Sequence, residues 1–215
     1  MLTTPVWKID PQQPEPLWIT HAAALILKGG VIIYPTETFY GLGGHPGMKA
    51  AIERIFRIKE RDFNKPLPLI AAHMEAVREA VGSLPPAAEK LAAAFWPGPL
   101  TLVLPLASRL PSMLHAATGK IAVRISPHPV ARDLAAAVGG LLIATSANAA
   151  GRPACRDPEE IPAPLIRQVD GLLDAGSLPG GAPSTIVDVS VEPPRLVRDG
   201  VLPWEEIREL MAHGS

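Results

Sequence analysis

The sequence has little of what usually identifies a protein class at once. Its 215 residues include one cysteine, Cys155, which excludes a disulfide framework and fits a reducing cytosol. No apolar run approaches the ~20 residues needed to cross a bilayer, and the N-terminus lacks a targeting pattern. These absences predict a cytoplasmic protein without a membrane segment. Because Cys155 lies in the polar stretch "RPACRDPEE", we expect a surface thiol rather than a nucleophile.

The chain also lacks a strong charge of either sign. Its formal net charge is −1, so only a local basic patch would attract nucleic acid. Aromatic residues make up 5% of the chain, but apolar residues make up 47%. This composition predicts one large domain with an aliphatic core.

Familiar catalytic motifs are missing as well. The six histidines show no metal-ligand spacing, and the patterns HExxH, GxxxxGK[ST], GxGxxG and GxSxG do not occur. The sequence therefore predicts no protein-held metal, no standard phosphate loop and no serine nucleophile elbow.

Predicted strands and helices alternate along the whole chain, which favours an α/β fold. We expect a helix capped by Thr20 and ended by Gly29 and Gly30, a second helix over 48–59, and a strand over 141–147. The predicted strands 184–190 and 195–200 are too close in sequence for a crossover helix, so part of the sheet should be antiparallel.

The stretch "YPTETFYGLG" (34–43) follows a predicted buried strand. Thr36 and Thr38 offer hydroxyl groups, and the glycines at 41, 43 and 44 would let the backbone approach a ligand with unusual φ angles. The alternative is an ordinary tight turn.

A basic segment, "FRIKERDFNKP" (56–66), ends the second helix. Lys59 and Arg61 would point about 200° apart on a continuous helix, so they converge only if the helix ends near them. Together with Lys65 they would suit polyphosphate oxygens. The alternative is a solvated basic helix end.

Polar residues follow the strand in "IATSANAAGRP" (143–153). Ser146 and Asn148 would lie on the same side if the strand geometry persists, where they suit phosphate, ribose or carboxylate oxygens. The alternative is a turn built from turn-forming residues.

Two arginines interrupt apolar strands, Arg124 in "IAVRI" and Arg198 in "RLVRDG". A buried arginine needs either an internal carboxylate partner or a cleft that admits a ligand. Ser184 opens the strand before Arg198.

Seven segments in order resemble the YrdC-like family of threonylcarbamoyl-AMP synthases. They are "GGVIIYPTETFYGLGG", "IFRIKERDFNKPL", "FWPGPLTLVL", "IAVRISPHPV", "TSANAAGRP", "STIVDV" and "RLVRDG". The resemblance covers 17–200, with a lead-in at 1–16 and a closing helix within 201–215, and it indicates a single-domain form.

The resemblance implies a twisted, open, mixed parallel and antiparallel sheet with helices packed on it and a concave ligand-binding face. The implied reaction joins L-threonine, bicarbonate or CO2, and ATP (with Mg²⁺) into threonylcarbamoyl-AMP and releases pyrophosphate. A separate tRNA threonylcarbamoyl-transferase would then use the product. Because only a local basic patch is available at a net charge of −1, we expect at most weak tRNA binding. No protein nucleophile is required.

The resemblance also assigns residues. It implies ATP contacts at Lys59, Arg61, Lys65, Ser146, Asn148 and Arg198, with Lys59 and Arg61 as the catalytic pair. It implies threonine contacts at Thr36, Thr38, Arg124 and Ser184, with Arg124 forking onto the threonine carboxylate. The sequence departs from the family at Ala150 and Ala154, where hydroxyl residues are common, and at Ile70, where some members have histidine.

Two other functions are compatible with these residues. One is a non-catalytic module that binds double-stranded RNA or tRNA, which the net charge of −1 disfavours. The other is an ATP-binding regulator without synthesis, which the retained Lys59, Arg61, Ser146 and Asn148 disfavour.

Overall fold

The fold is taken from a computed structural model, in which residues 4–212 are described. It has seven α-helices in that range, together with a short 3-10 helix at Pro158–Glu160. In chain order the α-helices are α1 Pro16–Ile26, α2 Lys49–Lys59, α3 Met74–Val81, α4 Pro86–Phe95, α5 Pro129–Ala137, α6 Ala163–Ile166 and α7 Trp204–Ala212.

Eleven strands lie between these helices within the described residues. In chain order they are β1 Val6–Lys8, β2 Ile32–Tyr34, β3 Gly41–Gly43, β4 Leu69–Ala71, β5 Leu100–Pro105, β6 Lys120–Ile125, β7 Leu141–Ile143, β8 Thr145–Ser146, β9 Gly171–Asp174, β10 Thr185–Asp188 and β11 Arg195–Arg198.

The strands form two open sheets with mixed strand directions. The first has the order β1-β9-β2-β3-β8, and the second has the order β11-β10-β5-β6-β4-β7. Parallel pairs such as β4 with β6 stand beside antiparallel pairs such as β10 with β11. The α/β fold with mixed strand directions is confirmed, including the antiparallel return after β10.

Helices cover the sheets and close two hydrophobic cores. α1 and α5 pack on each other, and their buried Ile26 and Leu134 join a core with Tyr34 and Ile70. The larger core includes Ile52 of α2, Val77 of α3 and Ile207 of α7. The core is largely aliphatic, as the composition predicted.

The start of the first helix differs from the sequence prediction. α1 starts at Pro16, and Glu15 is its N-cap residue, so the prediction of a Thr20 cap is wrong. Proline is favoured at the first helical position because its φ is already helical and it needs no N–H partner there. At the other end Gly29 adopts φ +86°, so the chain leaves the helix where the glycines predicted.

The predicted helix over 48–59 ends between Lys59 and Arg61, as it must if these two cations are to converge. α2 stops at Lys59, and Glu60 takes the left-handed conformation with φ 51°. The backbone N–H of Arg61 donates to the carbonyl of Phe56 at 3.1 Å. The chain therefore reverses direction between Lys59 and Arg61.

Three local features differ from the sequence prediction. The glycines at 41, 43 and 44 do not have positive φ angles; two of them lie in β3, where a Cβ on Gly43 would be 2.5 Å from the ring of Tyr34. The predicted strand 141–147 divides into β7 and β8. The thiol of Cys155 is buried between the carbonyls of Ala147 and Glu160, so the surface prediction is wrong, and burial raises its pKa.

Both termini of the described chain pack on the fold. β1 pairs in parallel with β9 at the edge of the first sheet, and α7 contacts α4. The division into 1–16, 17–200 and 201–215 stays a prediction. Within 4–212, none of the helices has both the length and the apolar character of a membrane span.

Candidate functional site

One cavity of about 580 Å³ lies where the two sheets meet. It collects residues from the loop after β2, the loop after α2, and strands β5, β6, β8 and β11. Eight of the ten predicted site residues line it: Thr36, Thr38, Arg61, Lys65, Arg124, Ser146, Ser184 and Arg198. Residues far apart in sequence are therefore brought together around one space.

The other two predicted residues, Lys59 and Asn148, lie behind the wall of this cavity. Lys59 is only 2% exposed. Its Nζ donates to the carbonyls of Ser146 (2.5 Å) and Asn148 (2.8 Å) and to Asn148 Oδ1 (2.8 Å). Asn148 Oδ1 also accepts a hydrogen bond from Ser146 Oγ at 2.6 Å. Lys59 therefore holds the segment 146–148 in position with all three of its N–H groups.

The ammonium of Lys59 is a buried charge for which residues 4–212 supply no carboxylate partner. Burial, together with the positive charge of Arg61, lowers its pKa to about 8. The three hydrogen bonds act in the opposite direction, because they favour the charged form. A proton on Lys59 is thus coupled to the conformation of the segment 146–148.

Arg61 and Lys65 supply charge from the loop after α2. Arg61 Nη2 donates to the carbonyl of Pro66 at 2.9 Å, and burial lowers the arginine's pKa. Its buried Nε has no partner among the described residues. Lys65 is exposed at the cavity. Both cations can therefore reach an anionic ligand.

The Arg124 side of the cavity is built differently, because a carboxylate is already present there. Arg124 Nε donates to Glu37 Oε1 at 3.1 Å, and Arg124 Nη2 forms an ion pair with the same oxygen at 3.1 Å. Ser126 Oγ donates to Glu37 Oε2 at 2.5 Å and accepts from the backbone N–H of His128 at 3.1 Å. Both alternatives for Arg124 are thus realised: it has an internal partner and it also lines the cavity.

Arg198 reaches the same cavity from the edge strand β11. Its Nε and Nη2 donate to the carbonyl of Ser184 at 3.2 and 2.7 Å, and Nη2 also lies 3.1 Å from Ser184 Oγ. Ser184 Oγ shares a hydrogen bond of 2.8 Å with Thr101 Oγ1. These acceptors are neutral oxygens, so they do not compensate the positive charge of Arg198. Burial, together with the positive charge of Arg124, lowers the pKa of Arg198.

The two threonines of the loop after β2 differ in freedom. Thr36 is buried, and its Oγ1 donates to the carbonyl of Phe39 at 2.7 Å, so it shapes the loop. Thr38 lines the cavity, and its backbone carbonyl accepts from Gly180. The loop is thus shaped from within before any ligand arrives.

The three departures from the family pattern occupy different places. Ala154 lines the cavity, whereas Ala150 is exposed and outside it. Ile70 is fully buried in the core with α1 and α5 and pairs with Arg124 across β4 and β6. Within the described residues only Ala154 therefore removes a side-chain group from the cavity wall.

Sequence reasoning missed Glu37, Ser126 and Thr101 as parts of the site. The sequence shows Glu37 within "PTET", and it predicts that Arg124 needs a partner if it is buried. The sequence does not show that Glu37 and Arg124, which are 87 positions apart, are in contact. The usable signal was Ser126, which follows Arg124 by two positions and so faces the same side of the strand.

The cavity's chemistry is that of an anion site with hydroxyl groups. Within 4–212 there is no cluster of three histidine, cysteine, aspartate or glutamate side chains suited to a metal ion. Arg61, Lys65 and Arg198 suit phosphate oxygens. Arg124 keeps its Nη1 edge free for a second carboxylate.

Comparison with known proteins gives one matching family model. Residues 24–200 match the family Sua5_yciO_yrdC, described as "Telomere recombination". The match spans most of the chain and includes all ten predicted site residues.

Two curated relatives with the same name illustrate the similarity. The chain is 41% identical over 160 residues to the threonylcarbamoyl-AMP synthase of Stenotrophomonas maltophilia, covering 74% of this chain and 86% of the relative. It is 35% identical over 193 residues to the threonylcarbamoyl-AMP synthase of Pyrococcus abyssi, covering 90% of this chain and 57% of that relative.

The fold is similar to that of a solved structure with a bound amino acid. The crystal structure of P. abyssi Sua5 complexed with L-threonine superposes with a TM-score of 0.91 at 34% identity. The match covers 97% of this chain and 61% of that one. The chain therefore spans about three fifths of the archaeal protein.

Proposed function

Because the chain belongs to the Sua5/YciO/YrdC family, we propose that it is an L-threonylcarbamoyladenylate synthase. It condenses L-threonine, bicarbonate or CO2, and ATP to threonylcarbamoyl-AMP and releases pyrophosphate. The observation that carries this proposal is that one cavity is lined both by three cations suited to phosphates and by an arginine suited to a carboxylate. Relatives named for this activity at 35–41% identity support it.

In the proposed reaction the amine of threonine first combines with CO2 to give a carbamate. A carbamate oxygen then attacks the α-phosphorus of ATP, and the bond from that phosphorus to the bridging oxygen breaks as pyrophosphate leaves. Negative charge grows on the phosphoryl oxygens, which fixed cations stabilise without reorganisation. Arg61, Lys65 and Arg198 are the cations that line the cavity for this role.

Lys59, Ser146 and Asn148 belong to the ATP side of the proposal. Because every N–H of Lys59 is bonded within the chain, the lysine acts through the segment that it holds. Ser146 is the member of this network that lines the cavity. The fixed segment would meet the nucleotide as a preformed wall.

Mg²⁺ enters this proposal only as part of the nucleotide substrate. The described residues offer cations and hydroxyl groups around the cavity, and they lack a carboxylate cluster for a metal ion. This donor set does not fit a protein-held Mg²⁺, so no catalytic step is assigned to one here.

The threonine side consists of Arg124, Ser184, Thr36 and Thr38. Arg124 binds the threonine carboxylate through the edge that Glu37 leaves free. The solved relative with L-threonine supports an amino-acid site in this fold. The product would pass to a tRNA threonylcarbamoyl-transferase. Because the proposed reaction uses ATP and serves tRNA modification, it supports a cytoplasmic location.

Pyrophosphate release tests the activity. Purified protein with ATP, Mg²⁺, bicarbonate and L-threonine should release pyrophosphate, and omission of threonine should abolish the release. Equal release without threonine would contradict the threonine assignment. Absence of release under all conditions would favour the RNA-binding module.

RNA binding distinguishes the alternative further. With a net charge of −1, any tRNA binding should be weak and should collapse between low and physiological salt. Tight, salt-resistant retention of tRNA on filters would overturn the order of the two proposals.

A further inference from the structure

Glu37 and Ser126 form a brace behind Arg124 that the proposed reaction does not yet explain. The side chain of Arg124 is 10% exposed and that of Glu37 is 13% exposed, so water screens the pair little. Ser126 is fully buried. A paired, buried carboxylate beside a substrate-facing arginine neutralises charge that an anionic substrate would otherwise use.

The geometry shows what this neutralisation accomplishes. Glu37 Oε1 lies along one edge of the guanidinium, where it accepts a hydrogen bond from Nε and forms an ion pair with Nη2. Contacts along one edge restrict rotation of the planar guanidinium, so its other edge, formed by Nη1 and Nη2, has a preferred direction. Arg124 lines the cavity, and Nη1 makes no hydrogen bond within residues 4–212.

Glu37 is itself held from its other oxygen. Ser126 Oγ donates to Glu37 Oε2, and the same oxygen accepts the backbone N–H of His128. Because an oxygen that accepts the His128 N–H has its own proton directed elsewhere, the serine hydroxyl points at the carboxylate. The order of contacts is therefore His128 N–H, Ser126, Glu37 and Arg124.

We propose that Glu37, braced by Ser126, is a positioning residue that aims Arg124 at the carboxylate of the amino-acid substrate. Glu37 does not touch the substrate. This inference rests on the proposed function, in which Arg124 binds the threonine carboxylate. Fixing the fork before binding lowers the ordering cost of association.

Charge and position predict opposite effects when Glu37 is made neutral. Removing a negative charge beside Arg124 would by itself strengthen binding of a carboxylate. Losing the orientation of Arg124 would weaken it. In Glu37→Gln we expect the Kd for L-threonine to rise roughly tenfold, which is the size of one charge-assisted hydrogen bond.

The experiment measures L-threonine binding by calorimetry and the Michaelis constants of pyrophosphate release for threonine and ATP. Glu37→Gln and Ser126→Ala are compared with the wild type and with Glu53→Gln, a half-buried glutamate on α2 that is paired with Lys49 and does not line the cavity; it serves as the matched control. The expected result is a higher Kd and Michaelis constant for threonine in both site variants, with the constant for ATP unchanged. Ser126→Ala provides the test if Glu37→Gln does not fold.

Two further measurements separate positioning from direct contact. In an Arg124→Lys background, Glu37→Gln should add little, since the two act as one unit. L-threoninol, which has the amine and hydroxyl but no carboxylate, should inhibit the wild type and Glu37→Gln equally. A stronger loss of L-threoninol inhibition in Glu37→Gln would show that Glu37 contacts the amine, and it would overturn the proposal.

The wild type separates this inference from the function itself. If the wild type fails to bind L-threonine, the proposed function is wrong. If the wild type binds L-threonine and both site variants bind it equally well or more tightly, the positioning role is wrong while the function stands.

Discussion

Lys59 and Arg124 are both buried cations beside the same cavity, yet they are satisfied in different ways. Lys59 is surrounded by three neutral oxygens and keeps a net positive charge. Arg124 is paired with a carboxylate, and the pair is close to neutral. The difference teaches that the surroundings of Lys59 retain positive charge, which the proposed function uses for polyphosphate, whereas the pair of Arg124 and Glu37 offers direction with little net charge.

The largest expected effect comes from removing the charge of Lys59. Lys59→Met keeps the length of the side chain but leaves the carbonyls of the segment 146–148 without donors. We expect kcat/KM for ATP to fall by about a hundredfold or more, with a loss of about 1–3 kcal/mol of unfolding free energy. Arg57→Met, an exposed arginine on the same helix, is the matched control and should change neither quantity.

The second prediction concerns the pair of Arg124 and Glu37. Arg124→Lys keeps the charge but loses the fork, so the Michaelis constant for threonine should rise roughly ten- to hundred-fold, and that for ATP should change little. Because Glu37 is an internal partner, thermal stability should fall as well. A fall in melting temperature with both constants unchanged would assign Arg124 to structure alone, and Arg132→Lys on α5 controls for the substitution.

A pH titration sharpens the comparison at a smaller scale. The pKa of Lys59 is lowered from 10.5 to about 8, so affinity for ATP should decline several-fold as pH rises through about 8. The contribution of Lys59 to the free energy of unfolding changes with pH in the opposite direction to the affinity for ATP. Between about pH 8 and 10.5 the unfolded chain holds more protons, so this contribution to the unfolding free energy rises with pH.

A variant checks the assignment of that alkaline decline. Arginine does not lose its proton in this range, so Lys59→Arg should remove the decline if the variant binds ATP. Persistence of the same decline in Lys59→Arg would assign it to another group.

The smallest expected effect is on stability at acid pH, and it comes from His128, near the pair of Arg124 and Glu37. Burial lowers the pKa of His128 to about 4, although Glu37 partly opposes this. Between about pH 4 and 6.5 the unfolded chain binds the extra proton, so stability falls as pH falls. In urea titrations at pH 5 and pH 7, His128→Gln should reduce the loss by about 1 kcal/mol. An equal loss in both proteins would contradict the assignment.

The sequence predicted the site best where its chemistry was local. The end of α2 could be inferred from the need of Lys59 and Arg61 to converge and from the nearby proline. The Arg124 pair could be anticipated only in part, because its partner comes from a loop in the first sheet. Contacts between distant segments depend on the packing of both sheets, which local patterns do not encode.

The fold prediction failed in places where local signals competed. Thr20 is a good capping residue, but Pro16 starts α1 earlier because its φ is already helical. β3 was hidden within a glycine-rich run whose glycines make room for Tyr34. Cys155 sits among polar neighbours in sequence but packs against carbonyl groups of the folded chain.

The register of the second sheet has a consequence for how substrate preference can change. Ile186 pairs with Arg198 on one side and with Thr101 on the other, and Arg124 lies on the next strand. The backbones of the two arginines are thus three strand spacings apart, or about 14 Å. Hydrogen bonding between strands fixes this span, so mutation cannot adjust it gradually. Evolution toward a longer or shorter substrate would therefore have to act on side-chain length, or on the loops after β2 and α2 that also line the cavity.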